Sequence, residues 1–223
     1  MQGIDIFGFL QRLPIYVIPA LFAITLHEVA HGWAAKKLGD STAYMLGRLT
    51  LNPLKHIDPF GTVIVPLAML LLSGGSMAFG WAKPVPVAFR NLKNPRRDMV
   101  LVAAAGPGAN LLMATGWALI IGALVAGLSL GATVDEFLFR MSQFGILINV
   151  ILAVFNMLPL PPLDGGRVLA GLLPPSGARV IESIEPYGFL IVIVLMVTNV
   201  LWRILLPFIM FFENFFWALA GLR

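Results

Sequence analysis

Long apolar stretches recur along the chain and are separated by shorter polar ones. An apolar stretch of about 20 residues is long enough to cross the hydrocarbon core of a bilayer as an α-helix. The candidate spans are 13–35, 60–82, 99–126, 137–158, 187–202 and 204–222. Pro66 and a glycine pair at 74–75 interrupt the second. Pro207 interrupts the last, which either spans the membrane or lies in its interface. The pattern predicts an all-α, multi-pass membrane protein.

Three polar stretches rich in proline and glycine lie between the predicted helices. They are 36–59, 80–95 and 159–175. Proline lacks a backbone N–H and breaks helices, so we expect these stretches to be non-helical, with extended or re-entrant pieces. Pro84 and Pro86 favour an extended edge over 79–89, to which an unwound peptide could add as a strand. The alternative is a plain interfacial loop anchored by Trp81.

Composition supports a membrane protein and removes several other classes. Hydrophobic residues make up 59% of the 223 residues, charged residues make up 12%, and the mean hydropathy is +0.90. A soluble domain carries about 25% charged residues, and a disordered chain is far less apolar. The chain has no cysteine, which excludes disulfides, iron–sulfur clusters and thiolate zinc sites. Any metal must therefore be bound by histidine, carboxylate or carbonyl groups.

The net charge of +4 is better explained by basic loops than by a nucleic-acid partner. Eleven of the fifteen basic residues fall in 36–59, 83–98 and 164–187. Basic loops face the cytoplasm, so we expect these three segments on that side and 128–136, which has no basic residue, on the other. The run 60–82 must then enter and leave the same face as a broken or re-entrant segment, or lie flat. The alternative is a full span.

The strongest chemical signal is the pentapeptide His27-Glu28-Val29-Ala30-His31. Helical residues four apart share a face, so both histidines can reach one ion. Glu28 beside them can act as a general base, and this H-E-x-x-H spacing is typical of zinc hydrolases. A helical ion-pair patch is the alternative. The motif lies inside an apolar span, however, where ionisable groups are costly and usually functional.

Other polar residues complete the candidate site. A catalytic zinc usually takes three protein ligands, and Asp164, just past the fourth apolar run, is the best third candidate. Its alternative role is the N-cap of a helix over 165–173. Asn110 and Asn156 either donate to a peptide oxyanion or make helix-packing and capping hydrogen bonds. His56 is either an interfacial loop residue or a gating or transient zinc contact.

Three motifs, in this order, resemble those of the site-2 protease family of intramembrane zinc metalloproteases. They are His27-Glu28-x-x-His31, Gly106-Pro107-Gly108-Ala109-Asn110 and Asn156-x-x-Pro159-x-Pro161-x-Leu163-Asp164-Gly165-Gly166. The resemblance implies one zinc ion per chain, with His27, His31 and Asp164 as ligands. It also implies Glu28 as the catalytic base, and Asn110 and Asn156 as residues that support the site or bind the substrate.

The resemblance also implies an architecture and a location. The chain looks like the short form of the family, without PDZ or CBS domains, and forms one membrane-embedded domain over 1–223. A three-helix catalytic core occupies about 13–170, and C-terminal helices occupy about 187–222. We expect a prokaryotic inner-membrane protein whose active site lies toward the cytoplasmic side.

The expected function is zinc-dependent hydrolysis of peptide bonds in transmembrane segments, for regulated intramembrane proteolysis or clearance of membrane peptides. The expected partners are transmembrane protein or peptide substrates and the lipid bilayer, with no nucleic acid. A helical substrate must unwind locally, because neighbouring turns shield its carbonyl groups. Two alternatives stay open, a polytopic transporter with a bound metal and an inactive protease-like scaffold. The oligomeric state is open as well.

Overall fold

A computed structural model describes residues 6–72 and 80–222. The helices are α1 Ile6–Leu38, α2 Thr42–Met45, α3 Val65–Leu72, α4 Pro95–Val125, α5 Ala132–Asn156, α6 Asp164–Leu172, α7 Pro175–Val197 and α8 Val200–Leu219. A π-helical turn at Pro59–Ile64 and 3₁₀ turns at Pro53–Lys55 and Phe89–Asn91 complete the regular structure. No strand occurs within the described ranges. The prediction of an all-α fold is confirmed.

Five helices of the described ranges are long and apolar enough to cross a membrane: α1 from Gln11 onward, α4, α5, α7 and α8. Their outward faces expose large apolar side chains, among them Phe22, Leu112, Leu190 and Phe211. Many exposed large apolar side chains are a liability in water and suit contact with lipid. The prediction of a multi-pass membrane protein is confirmed.

The first helix contains the first predicted span and is longer at both ends. It ends at Leu38 because Gly39 adopts a φ of 119°, which glycine reaches without the strain that a side chain brings. The N–H of Asp40 then donates to the Ala35 carbonyl at 2.9 Å. His27 and His31 therefore lie in about the last three turns of α1, toward its basic end.

The fourth helix is the centre of the bundle and packs against α1, α5, α6 and α8. Its inner face is a row of buried residues at four-residue spacing: Val102, Gly106, Asn110, Ala114 and Ala118. Small residues in such a row let helices approach closely in a membrane. The main apolar core lies beside the C-terminal part of this row, at Ala114 and Ala118. It also includes Ile121, Ile146, Val150, Leu201, Leu205 and Ile209.

Among its described residues, the second predicted span is not one uniform α-helix. The π-helical turn Pro59–Ile64 leads into α3, and residues 80–88, beyond the undescribed residues 73–79, are non-helical. The N–H of Trp81 donates to the Gly61 carbonyl at 3.0 Å, and the Thr62 hydroxyl donates to the Trp81 carbonyl at 2.8 Å. The chain thus returns at residue 81 to the place that it left at residue 61. The glycine pair assigned to the break lies outside the described residues.

The non-helical prediction for 159–175 is wrong in its second half, because α6 occupies Asp164–Leu172. The prolines of this stretch flank the helix and do not interrupt it. Gly165 and Gly166 lie against the main chain of 157–161, where a Cβ on either glycine would collide with backbone atoms. Close packing therefore stabilises a helix that the local glycine content disfavours.

The predicted helix over 187–202 has the wrong bounds. The α7 helix already begins at Pro175, a residue that suits the first turn of a helix, and a turn at Asn199 separates it from α8. Asn199 adopts a φ of 58°, in the left-handed region that asparagine tolerates. The α8 helix then continues through Pro207. The C-terminal helices thus occupy 175–219, and both are long enough to span.

Candidate metal centre

Three side chains from two helices converge at one buried point. His27 and His31 lie one turn apart on α1, and Asp164 is the first residue of α6. Asp164 Oδ2 lies 3.3 Å from the Nε2 atom of each histidine, and the two Nε2 atoms are 3.0 Å apart. All three residues are buried. Among the described residues, His27, His31 and Asp164 form a group of side chains that could hold a metal ion.

The outer nitrogen of each imidazole is already used. His27 Nδ1 lies 2.6 Å from Asn110 Oδ1, and His31 Nδ1 lies 2.7 Å from the Val102 carbonyl oxygen. Both oxygens can only accept a hydrogen bond, so each Nδ1 donates. In the neutral rings the proton is then on Nδ1, and each Nε2 carries a lone pair directed into the cluster. This is the tautomer that a metal ligand requires.

The cluster therefore brings together three electron-pair donors. Asp164 Oδ2 is buried and has no hydrogen-bond partner in the part of the chain that the structure describes. Without a metal, an added proton on a ring or on the carboxyl group can bridge only two of these atoms at once, whereas one divalent cation satisfies all three. A tetrahedral zinc with ligands at about 2.0–2.1 Å holds those atoms about 3.3 Å apart. The side chains present therefore fit zinc.

The alternative N-cap role of Asp164 does not match the structure. Leu163 occupies the N-cap position of α6, and Asp164 is already helical, with its carboxylate turned to the histidines. The proline-rich turn precedes α6, and Asp164 at the start of that helix lies 3.3 Å from both histidines. The cluster thus joins residues that lie far apart in the sequence, because the histidines belong to the first motif and Asp164 belongs to the last.

Gly106 provides the space in which the imidazoles lie. A Cβ built on Gly106 would be 2.6 Å from His31 Cε1 and 2.7 Å from His27 Cε1. No side chain larger than hydrogen fits there without moving a ring. Gly108, two residues further along α4, has nothing within 4 Å of the same position among the described residues. The two glycines of one motif therefore have different roles.

Glu28 faces a cavity of about 550 Å³ beside the cluster. Its Oε2 accepts the main-chain N–H of Val85 at 2.7 Å. Val85 belongs to the non-helical segment 80–88, where apolar Trp81 and Val87 also line the cavity. The segment is irregular and pairs with no strand within the described ranges. Phe79, the first residue of the predicted extended edge, lies outside those ranges.

Asp40 fastens the far end of this segment to the end of α1. Its Oδ2 accepts the Ala88 N–H at 2.7 Å, and its Oδ1 accepts from the Asn91 side chain and from the Thr42 N–H, both at 3.1 Å. The Thr42 hydroxyl also donates to Oδ1, at 2.5 Å. Burial alone raises the pKa of Asp40, but these hydrogen bonds lower it below its ordinary value. An ionised carboxylate thus holds the segment that contacts Glu28.

The remaining predicted residues take different places. Asn156 lines the cavity, and its amide donates to the Leu152 carbonyl at 2.9 Å. Asn110 lies behind His27 and does not line the cavity, which argues against contact with a substrate. His56 is buried outside the cavity, with Nε2 2.9 Å from the Thr50 carbonyl, and the structure does not bring it to the metal cluster.

Two side chains near the site were not anticipated from the sequence. Arg167, one turn after Asp164, lines the cavity and lies over the Phe89 ring, with its guanidinium carbon 5.3 Å from the ring centre. It forms no ion pair with an acidic residue of the described ranges. Asn149 is fully buried in α5 and bonds to Asn110. A polar residue in an apolar run is the signal that could have identified Asn149.

Membrane-spanning helices around a buried His–His–carboxylate cluster, with a glutamate facing the adjoining cavity, define a membrane protein with a hydrolase-type metal site. The profile of "Peptidase family M50" matches residues 15–198. "Putative zinc metalloprotease YwhC" from Bacillus subtilis (strain 168) is 42% identical over 201 residues, 88% of each chain. "Putative zinc metalloprotease Rip2" from Mycolicibacterium smegmatis is 33% identical over 197 residues, 88% of this chain and 70% of the relative. No solved structure matches the chain.

The chain belongs to Peptidase family M50, the site-2 protease family, and is an integral membrane metalloprotease. The predicted membership of the site-2 protease family is therefore confirmed.

Proposed function

We propose that this membrane metalloprotease is an intramembrane endopeptidase that cleaves transmembrane segments of other membrane proteins or peptides. It holds one zinc ion per chain on His27, His31 and Asp164. The observation that carries the proposal is that Glu28 and this cluster border one cavity among spanning helices. The cavity is lined largely by apolar side chains, which suits an apolar peptide and not an aqueous loop.

The metal ion and Glu28 have different roles in the proposed reaction. A zinc ion at this cluster supplies Lewis acidity toward a peptide carbonyl and toward water. Glu28 accepts a proton from the water whose oxygen adds to the carbonyl carbon, and then delivers that proton to the amide nitrogen as the C–N bond breaks. The Val85 N–H orients the Glu28 carboxylate, and the apolar walls of the cavity restrict the entry of bulk water.

The substrate must be locally unwound before its carbonyl can reach the site, because a helix shields its carbonyls with its own turns. Segments with helix-breaking residues in their apolar part are therefore favoured. The charge pattern supports an active site toward the cytoplasm, since Lys36 and Lys37 close the helix that carries both histidines. We propose a prokaryotic inner membrane as its location, where it acts in regulated proteolysis or in clearance of membrane peptides.

Reconstituted vesicles provide the test. Wild type, Glu28→Gln and His31→Ala are compared for zinc content and for cleavage of a co-reconstituted transmembrane peptide with a central glycine or asparagine. We expect stoichiometric zinc in wild type and in Glu28→Gln, cleavage by wild type alone, and zinc loss in His31→Ala. Comparison of membrane proteomes with and without Glu28→Gln then identifies substrates that accumulate.

The two alternative functions, a metal transporter and an inactive scaffold, predict different results in these assays. A metal transporter would move zinc across the vesicle membrane, and Glu28→Gln would leave that flux unchanged. An inactive scaffold would bind the peptide without cleaving it in the wild-type protein. Cleavage by Glu28→Gln at the wild-type rate would overturn the assignment of the base.

A further inference from the structure

A chain of buried amides links α5 to the metal cluster. Asn149 Nδ2 donates to the Gly145 carbonyl at 2.8 Å, and Asn149 Oδ1 accepts from Asn110 Nδ2 at 2.9 Å. Asn110 Oδ1 in turn accepts from His27 Nδ1 at 2.6 Å. Asn110 and Asn149 are both fully buried, so water does not compete for these bonds.

Every bond in this chain has a fixed direction. The Gly145 carbonyl can only accept, so the amide nitrogen of Asn149 faces it and the amide oxygen faces Asn110. That oxygen also can only accept, so Asn110 presents its NH₂ group to it and its own oxygen to His27. The second N–H of Asn110 donates to the Ala23 carbonyl at 3.2 Å. A flipped Asn110 would place its oxygen against two acceptors and its NH₂ group against a donor.

We infer that Asn149 is a positioning residue that acts through Asn110 to hold His27 in its metal-binding tautomer and orientation. The inference rests on the proposed zinc site. Partners behind a metal ligand fix its ring and usually change metal affinity by about 10–100-fold when removed. The Ala23 carbonyl still restrains Asn110 after loss of Asn149, so we expect the lower end of that range.

The competing explanation is that Asn149 only joins helices, as polar residues in membrane bundles often do. The two roles differ in what they change. A purely structural residue lowers the stability of the metal-free protein but leaves the folded site as it was. A positioning residue changes the geometry and the affinity of the folded site itself.

Three variants of the full chain separate these roles. Asn149→Leu keeps the approximate shape and removes both hydrogen bonds. Asn149→Asp keeps an oxygen where Asn110 donates, in either protonation state, and serves as the conservative rescue. Ser142→Ala is the matched control, since Ser142 is a buried polar residue two turns earlier on the same face of α5. Its hydroxyl has no hydrogen-bond partner among the described residues.

Three measurements on detergent-purified protein are made for each variant. They are zinc affinity by chelator competition, the visible spectrum of the cobalt-substituted protein, and the unfolding midpoint of the metal-free protein. We expect Asn149→Leu to bind zinc about tenfold more weakly and to change the cobalt spectrum. Asn149→Asp should retain most of the affinity, and Ser142→Ala should match wild type.

Unchanged zinc affinity and cobalt spectrum in Asn149→Leu, with only a lower unfolding midpoint, would overturn the inference. Should Asn149→Leu fail to fold, the shorter Asn149→Ala is measured against the same criteria. Failure of the wild-type protein to bind zinc would overturn the proposed function instead, so the two failures are distinguishable.

Discussion

The main-chain N–H of Val85 and the carboxylate of Glu28 form a 2.7 Å hydrogen bond across 57 residues of sequence. Segment 80–88 therefore contacts the proposed general base directly. An amide that an incoming peptide strand could have used is already occupied by Glu28. The segment thus has two separable roles to test, orientation of Glu28 and docking of an unwound substrate.

Proline at Val85 tests the first role, because it removes the N–H that Glu28 accepts. We expect Val85→Pro to reduce cleavage about tenfold with zinc content unchanged, in line with the loss of a charge-assisted hydrogen bond. Val85→Ala, which keeps the N–H, controls for lost side-chain packing. Val87→Pro should have a smaller effect. Equal losses in both proline variants, reduced for substrates that are already unwound, would instead support strand docking.

A methyl group at Gly106 should disrupt the metal cluster. A Cβ at this position overlaps both imidazoles, so Gly106→Ala must displace His27 or His31. We expect zinc content measured by mass spectrometry to fall to a small fraction of the wild-type value, together with cleavage. Gly108→Ala is the matched control, because the same Cβ has open space there. A zinc-loaded Gly106→Ala protein would show that the helices can move apart without loss of the site.

Loss of the Asp40 carboxylate should loosen segment 80–88. In Asp40→Asn the amide nitrogen replaces one oxygen, and if it faces the Ala88 N–H two donors meet. We expect the unfolding free energy to fall by about 1–3 kcal/mol and proteolysis within 80–91 to accelerate. Because the pKa of Asp40 is lowered by folding, its contribution is present at neutral pH and is lost only as pH falls through the folded-state pKa. The difference between variant and wild type should therefore stay constant from about pH 5 to 8 and shrink below about pH 4.

Single cysteines give the topology cleanly, since the chain has none of its own. Lys37, Asn94 and Thr133 are exposed, whereas the buried Asp40 would be a poor labelling position. We expect Lys37→Cys and Asn94→Cys to react with a membrane-impermeant maleimide only from the cytoplasmic side, and Thr133→Cys only from the opposite side. Reaction of the first two from opposite sides would contradict the same-face arrangement of 60–82.

The sequence allowed a metal site to be predicted because most of its signal is local. His27, Glu28 and His31 follow one another on a single helix, and a metal site without cysteine leaves few choices for a third ligand. The structure brings Asp164 to both histidines. The contribution of Val85 could not be foreseen in this way, because a backbone N–H carries no residue-type signal.

Other features were missed or predicted wrongly because they depend on contacts that the sequence pattern does not report. Asn149 reaches the site only through the packing of α4 against α5, and sequence spacing does not report helix contacts. The late start assigned to α7 reflects the polar composition of 175–186. The non-helical prediction for 159–175 rested on its proline and glycine content, yet the prolines flank α6, and Gly165 and Gly166 permit α6 to pack closely against the preceding turn. For α6, tertiary contact overrides local propensity.

The row of residues on the inner face of α4 has a consequence for insertions and deletions. One face of this helix supplies the Val102 carbonyl to His31, the space at Gly106, and the Asn110 amide to His27, at steps of four residues. One residue inserted between 102 and 110 would rotate the later positions by about 100° and advance them by about 1.5 Å. The groups that contact the two histidines would then no longer lie on one face of the helix. The same insertion after residue 125, where α4 has ended, would leave all three in register, so chain length can vary there without disturbing the groups that support the histidines.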